Sequence, residues 1–493
     1  MGNLLVAPIT EKETHRGETD DGQLTFAVSS MQGWRVHMED AHILESSMYA
    51  EEVIKEDGRD ETKMDANGDS SSSSNSAVNG SATKRAKKNS EDRELETDGD
   101  EKNDNEQSRT KYNRLDLPQH SLFAVYDGHG GAFAAEYAGL NFVRVLARQA
   151  NFVQYAHFVN DLAARDALEN ASASAGTGGQ NTDAQKEDLK LTPQEKAESN
   201  RKGRELLETA LKDAFLDIDR EIWREVQGLG NKDSTLPKKK RKDQDEDLGN
   251  DDDHEHEDDE WQKSDSGTTA TVVMFTPMWI ICANAGDSRS VYSKQGHCTI
   301  PLSYDHKPDD EAEERRIYEA GGFVRGGRVE GDLAVSRGLG DFRFKQDEMY
   351  QNMGTVPSSF AHYADVRGSG RKKGLVGPAS VLCPEDQKVS PMPDIVVQNR
   401  NREHDEFVIV ACDGIFDVQT NHECIALTAD ILRQGESDLG LVCEEILDVC
   451  LNKGSKDNMT ALVIKMPAQQ IGEGGGVAER RRLRKEAEDN DDE

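Results

Sequence analysis

The sequence predicts an α+β fold, and three observations predict it. Short apolar runs of strand length end in acidic residues or turns: Leu122–Tyr126 (LFAVY), Phe407–Cys412 (FVIVAC) and the Val/Ile/Thr-rich stretch Thr268–Ala285. Between and after them lie stretches with apolar residues at helical spacing: Ala132–Arg148, Arg204–Val226, Glu423–Leu432 and Leu439–Leu451. Neither GxGxxG nor GxxxxGK[ST] occurs, so the nucleotide-binding α/β folds lose support.

In chain order, Gln23–Leu44 reads as strand. Residues 51–112 are charged and rich in Ser and Asn, with a serine run at 70–74, and read as a disordered insert. LFAVY is a buried strand. A glycine turn then leads into a helix with Phe133, Tyr137, Leu140, Val143 and Leu146 on one face. Residues 171–200 are small and polar, a second insert. Leu207, Leu211, Phe215, Ile218 and Ile222 mark the next helix.

The third insert, 228–263, holds the basic run Pro237–Lys242 and then twelve Asp or Glu between Asp243 and Glu260. Val272–Phe275 and Trp279–Cys282 form a hairpin about Thr276-Pro277. Asp309–Ala320 is a helix stopped by Gly321-Gly322. A fourth insert spans 346–382. FVIVAC, two helices and a closing strand, Met459–Ile464, complete the pattern. The division is an N-terminal tail at 1–23, one folded domain at 24–465 and a charged C-terminal tail at 466–493. There is no internal repeat.

The chain has 493 residues, 60 Lys or Arg against 95 Asp or Glu, and a net charge of −35. Only 35% of residues are hydrophobic, so part of the chain contributes no core. The charge argues against a nucleic-acid binder that uses its whole surface; it leaves basic proteins and metal ions open as partners. Seven cysteines, an odd number with no CxxC, argue against a disulfide scaffold or zinc ribbon and fit a reducing compartment. No N-terminal apolar stretch resembles a secretory signal, and Thr268–Ala285 is broken by Pro277. The expectation is a soluble, intracellular monomer without membrane contact.

The chemistry is signalled by where carboxylates stand. Asp127 ends LFAVY and precedes Gly128-His129-Gly130-Gly131. Asp413 ends FVIVAC and precedes Gly414. Asp457-Asn458 stands before the last strand, and Glu39-Asp40 closes Trp34–Met38. Singly, each reads as a turn or as solvated surface. Four acidic clusters at strand ends converge only if something cancels their repulsion. Hard divalent cations do so, and carboxylates with waters suit Mg²⁺ or Mn²⁺.

Eight motifs then occur in order: GWRVHMEDAH (33–42), VYDGHGG (125–131), SGTTA (266–270), NAGDSR (284–289), DHKP (305–308), LAVSRGLGDF (333–342), ACDGIFDV (411–418) and SKDNMT (455–460). The set resembles the metal-dependent serine/threonine protein phosphatases of the type 2C family, over Leu24–Lys465 less the inserts. The acidic insert before SGTTA resembles the gamma-type branch of that family.

The resemblance implies two packed antiparallel β-sheets flanked by helix pairs, with two Mn²⁺ or Mg²⁺ ions at one edge. It implies that Asp127 bridges the metals, that Gly128 offers its carbonyl, that Asp413 and Asp457 hold one ion, and that Glu39 and Asp40 act through waters. It makes Arg35 the phosphate binder and His129 the general acid. A third metal in some relatives implies Asp287 with Asp413. The reaction is attack by a hydroxide bridging the metals, which two ions about 3.5–4 Å apart can generate near neutral pH. Arg35 suits forked phosphate binding, and His129 suits protonation of the departing serine oxygen.

The alternative reading is an acidic scaffold that holds histones or other basic nuclear proteins, with the phosphatase fold secondary. A metal-dependent nuclease also uses clustered carboxylates, but −35 disfavours it. Pro237–Lys242, helped by Lys84–Lys88, reads as a nuclear localisation signal, giving nucleus or cytoplasm as the expectation. Met1-Gly2 begins a myristoylation pattern in which Val6 stands in place of Ser or Thr. The fourth insert follows LAVSRGLGDF, where relatives carry a flap beside the active site.

Overall fold

The computed structural model describes residues 4–54, 111–174, 192–236, 263–352 and 382–491. The acidic run 243–260, the basic runs 84–88 and 237–242, and residues 353–381 of the fourth insert lie outside them. The chain forms a main unit, residues 1–51 and 114–493, and a small second unit, residues 52–113.

Among the described residues, eleven strands build two sheets. They are β1 (Leu4–Glu18), β2 (Thr25–Arg35), β3 (Ala41–Glu45), β4 (Ser121–Tyr126), β5 (Ala270–Phe275), β6 (Trp279–Ala285), β7 (Arg289–Lys294), β8 (Cys298–Pro301), β9 (Asp394–Asn399), β10 (Asp405–Ala411) and β11 (Met459–Lys465). One sheet runs β1-β2-β11-β10-β7-β8 and the other β9-β6-β5-β4-β3. Every neighbouring pair is antiparallel. The helices are α1 (Phe133–Ala147), α2 (Ala150–Ser174), α3 (Pro193–Val226), α4 (Glu311–Glu319), α5 (Asp347–Asn352), α6 (Asp413–Phe416), α7 (Asn421–Arg433), α8 (Leu439–Asn452) and α9 (Gly476–Asp491).

The α+β architecture is the one expected, and it explains why the central strands read as unbroken apolar runs. Phe123 and Val125 of β4 belong to the core between the sheets, whereas Leu122, Ala124 and Tyr126 pack with α1 and α3. Both faces of β4 are covered, so alternation disappears. Phe26 of β2 meets Phe123 edge-on at 4.9 Å between ring centroids, and Phe123 meets Phe275 of β5 at 5.7 Å. This aromatic stack fastens one sheet to the other; truncating such a ring costs about 3–5 kcal/mol. On the first sheet's outer side, Ile425 and Leu432 of α7 and Val442 and Ile446 of α8 complete the same core.

Several boundaries differ from the sequence reading. Residues 1–23 are not simply a tail: Leu4–Glu18 is the edge strand β1. Its side chains are mostly exposed, so it carries little apolar pattern. It is held by its ladder to β2 and by ion pairs of Lys12 with Asp448 and Arg16 with Asp438. The insert expected at 171–200 contains the end of α2 and the start of α3. Thr192 caps α3 through a reciprocal capping box with Glu195, and Pro193 follows it directly. The tail expected from 466 holds α9, where Arg480, Arg481 and Arg484 gather on the fully buried Glu445 of α8. Met48–Val53 and Tyr112–Leu117 are strands at the two ends of the first insert. No helix among the described residues is long and apolar enough to cross a membrane.

Candidate active site

The acidic residues come together because of where the strands end. Asp127 follows β4, Asp413 opens α6 just past β10, Asp457 stands before β11, and Glu39-Asp40 links β2 to β3. β10 and β11 are antiparallel neighbours, so the end of one lies beside the start of the other. Two glycines permit the closeness. A Cβ on Gly128 would lie 2.2 Å from the Glu39 carbonyl oxygen, and one on Gly414 would lie 2.1 Å from that of Asn458. Asn458 acts as a clamp. Its Nδ2 donates to the carbonyls of Gln32 (2.8 Å) and His37 (3.0 Å), and its Oδ1 accepts from Glu39 N (3.0 Å).

Asp40, Asp127 and Cys412 each place a ligand-type atom within 4.8 Å of the others. Asp413 N donates to Asp127 Oδ2 at 3.4 Å. Burial and mutual repulsion dominate the electrostatics. Burial, then the charges of Asp413, Asp40, Asp287 and Asp457, hold Asp127 well above the usual carboxylate range. Burial, then Asp287 and Asp457, does the same to Asp413. Asp40 is pushed up to about 7, chiefly by burial, with Asp457 and Glu39 adding to it against the hydrogen bond from Thr460. A set of half-buried acids whose main neighbours are other acids is unstable as ionised carboxylates unless a cation joins it.

The donor set fits a hard divalent ion. Asp40 Oδ2 accepts from Thr460 Oγ1 at 2.7 Å, but Asp40 Oδ1 is buried with no hydrogen-bond partner. Asp40 and Asp127 bring ligand-type atoms within 4.8 Å of one another, and oxygen donors suit Mg²⁺ or Mn²⁺. Cys412 is a poor ligand. Burial pushes its thiol well up, and its Sγ accepts from Thr460 N at 3.1 Å.

The other predicted residues stand at the rim. Arg35 Nη2 lies 2.5 Å from Asp457 Oδ2, so the guanidinium rests on a carboxylate of the cluster. Glu39 Oε1 accepts from Gly131 N at 2.9 Å, which ties Glu39 to the loop bearing His129. Asp287 lies in the field of Asp127 and Asp413, and here it is paired with Lys307 Nζ at 2.5 Å. An ammonium therefore stands on the carboxylate that the family resemblance assigns to a third ion. His129 Nε2 lies 2.9 Å from Asp341 Oδ1. Burial disfavours its charged form, but the charge and hydrogen bond of Asp341, with Asp287 and Glu39, more than offset this and raise the imidazole above its ordinary range.

Four participants were given no role by sequence reasoning: Lys307, Asp341, Asp417 and Asn458. Each stands inside a motif already quoted, in DHKP, LAVSRGLGDF, ACDGIFDV and SKDNMT. Nothing in their local spacing distinguishes them. Asp417 sits beside the cluster, and burial, then Asp287 and Asp457, raise it against Lys307.

A two-sheet sandwich with an oxygen-donor cluster at strand ends, a guanidinium and an imidazole beside it has the elements of a metal-dependent phosphate-ester hydrolase. Residues 176–459, more than half of the chain, match the family described as protein phosphatase 2C, and the chain belongs to that family. It is by class a protein serine/threonine phosphatase. The chain is 28% identical over 473 residues to the protein phosphatase 2C homolog 2 of Aspergillus flavus, covering 94% of this chain and 68% of that protein. It is likewise 28% identical over 468 residues to protein phosphatase ppm-1.A of Caenorhabditis elegans, covering 95% and 64%. Among solved structures it is similar to a phosphatase from Toxoplasma gondii, with TM-score 0.48 and 17% identity over 94% of this chain and 97% of that one.

Proposed function

We propose that the chain hydrolyses phosphoserine and phosphothreonine in proteins, using Mn²⁺ or Mg²⁺ held by Asp127, Asp413, Asp457 and Asp40, with Glu39 and the Gly128 carbonyl beside them. The observation that carries this reading is the half-buried cluster of mutually repelling carboxylates, with the buried, unsatisfied Asp40 Oδ1 among them. When bound, such ions screen the phosphate charge and supply a nucleophilic water ionised near neutral pH.

The protein groups do the rest. Arg35 is free to exchange Asp457 for phosphate oxygens, because a planar fork of donors fits either. Asn458 holds the 32–39 segment, and with it Arg35 and Glu39, against the Asp457 loop. The water oxygen bonds to phosphorus as the bond from phosphorus to the seryl oxygen breaks. His129 gives a proton to that oxygen, which takes the electron pair, and the ring regains a proton from solvent.

Phosphate release from a phosphoserine peptide tests the reading. Asp127→Asn should lose nearly all turnover at saturating Mn²⁺ while keeping its fold. His129→Gln should slow the phosphoserine peptide by about 10²–10⁴ and p-nitrophenyl phosphate far less, because nitrophenolate leaves without a proton. Near wild-type turnover by Asp127→Asn, or activity independent of added divalent ion, would overturn the assignment.

A further inference from the structure

His129 is held by a residue on another loop, and that loop is held in turn. Asp341 is 2% exposed, and its two carboxylate oxygens lie 2.9 and 3.0 Å from His129 Nε2. An aspartate just before a helical turn ordinarily caps it. Asp341 precedes the turn Phe342–Phe344 yet makes no capping bond. It instead adopts φ +53°, a left-handed conformation uncommon outside glycine, in which its carboxylate faces His129.

The surroundings force this placement. Asp341 N donates to Ser266 O at 3.2 Å. Ser266 Oγ donates to Gly131 O at 2.8 Å and accepts from Ala134 N at 2.9 Å, so one serine fixes both the Asp341 loop and the His129 loop. Gly267 leaves room for the carboxylate, since a Cβ there would lie 2.3 Å from Asp341 Cγ. On the far side, Asp219 of α3 accepts from Gly340 N at 2.8 Å and from Lys345 Nζ at 2.9 Å. Lys345 Nζ also donates to Gly338 O at 2.9 Å, and both charged side chains are fully buried. The strained residue is thus anchored on both sides.

We propose that Asp341 is the positioning residue for the leaving-group acid: it grips the His129 ring by Nε2 and leaves Nδ1 as the nitrogen that delivers the proton. Nδ1 has no hydrogen-bond partner among the described residues. A carboxylate that accepts from one ring nitrogen fixes the tautomer and the ring plane, and so decides which nitrogen faces the reaction. The proposal rests on the reading of His129 as the acid.

The test compares Asp341→Asn, His129→Gln and the double variant at saturating Mn²⁺, on a phosphoserine peptide and on p-nitrophenyl phosphate. Asparagine suits the left-handed backbone and keeps the shape, so it separates lost function from lost folding; circular dichroism and Mn²⁺ affinity should match wild type. D341N should slow the phosphoserine peptide by about 10-fold or more and p-nitrophenyl phosphate by less than about threefold. In the H129Q background it should cost nothing further, since two groups that act as one unit are not additive. In Mg²⁺-loaded, ¹⁵N-histidine-labelled protein, long-range ¹H–¹⁵N spectra should show the His129 Nε2 protonated in wild type, with the signal identified by its loss in H129Q. Equal losses on both substrates, an additive loss in H129Q, or an unprotonated Nε2 would each overturn the role of Asp341. If H129Q itself shows no difference between the substrates, the acid assignment falls with it.

Discussion

In the proposed function, Asp413 would serve activity against stability. Its main electrostatic neighbours are Asp287 and Asp457, and it is half-buried. In metal-free protein, Asp413→Asn removes one member of a repelling set. Asp413→Asn should therefore raise Tm in EDTA while abolishing Mn²⁺-dependent turnover. Differential scanning fluorimetry with and without Mn²⁺ checks it; a lowered Tm in EDTA would mean that Asp413 serves the fold rather than the metal. Asn458 makes the opposite contribution. Asn458→Ala removes the partner of the Gln32 and His37 carbonyls and of the Glu39 N–H, so it should cost about 0.5–1.5 kcal/mol for each bond lost in urea unfolding and raise the Mn²⁺ concentration needed for half activity.

At the scale of elements, the decisive contacts run between segments far apart in sequence. Asp219 and Lys345 form an ion pair with neither side chain exposed, and Tyr350 Oη donates to Asp219 at 2.7 Å. Breaking such a pair from one side leaves a buried charge. Lys345→Met should cost about 3–5 kcal/mol, and adding Asp219→Leu should recover much of it. Equal costs for the single and double variants in denaturant melts would contradict this account.

The same distance explains what the sequence reading could and could not see. Residues at the ends of β4 and β10 were legible because a carboxylate after an unbroken apolar run is a local pattern. Eight ordered motifs pointed in turn to the carboxylates, Arg35 and His129 that the fold brings near one another. β1 and α9 were not, because each is polar and is held by partners hundreds of residues or a whole element away: Arg16 by Asp438, and Arg480, Arg481 and Arg484 by Glu445. The start of α3 did carry a local signal, the Thr192–Glu195 capping box, hidden within a small polar composition. Asp341 was visible as a letter in a motif, but its bond to His129, 212 positions away, exists only in the fold.

At the scale of the whole molecule, the segment after β8 must be joined to the sandwich without a large core of its own. Its apolar cluster is small, built on Ile317, Val329, Leu333, Val335, Phe344 and Val389. The junction is a buried charge network centred on Glu313 of α4. Glu313 accepts from Arg316 at 2.5 Å, from Arg337 at 2.7 Å and from Ser336 Oγ at 2.6 Å. Arg337 continues to Asp394 of β9 at 2.8 Å, and His306 Nε2 lies 3.2 Å from the same residue. Burial alone would raise the Glu313 carboxyl. The hydrogen bond from Arg337 and the charges of Arg316 and Arg337 overcome that and hold it down at about 2.

A carboxyl depressed in the folded state stabilises the fold above its unfolded value, and that contribution is lost as pH falls through the folded value. From an ordinary 4.5 to about 2, the difference corresponds to about 3 kcal/mol. Glu313→Gln should therefore lose about 3 kcal/mol of stability in urea at pH 7. The gap between wild type and Glu313→Gln should stay flat from about pH 8 to 5.5, then narrow below about pH 4.5 as the wild-type advantage is titrated away. Urea midpoints measured across that range decide it. A gap that widens in acid, or one absent at pH 7, would show that the arginines are satisfied without Glu313 and that the junction is held by its apolar cluster instead.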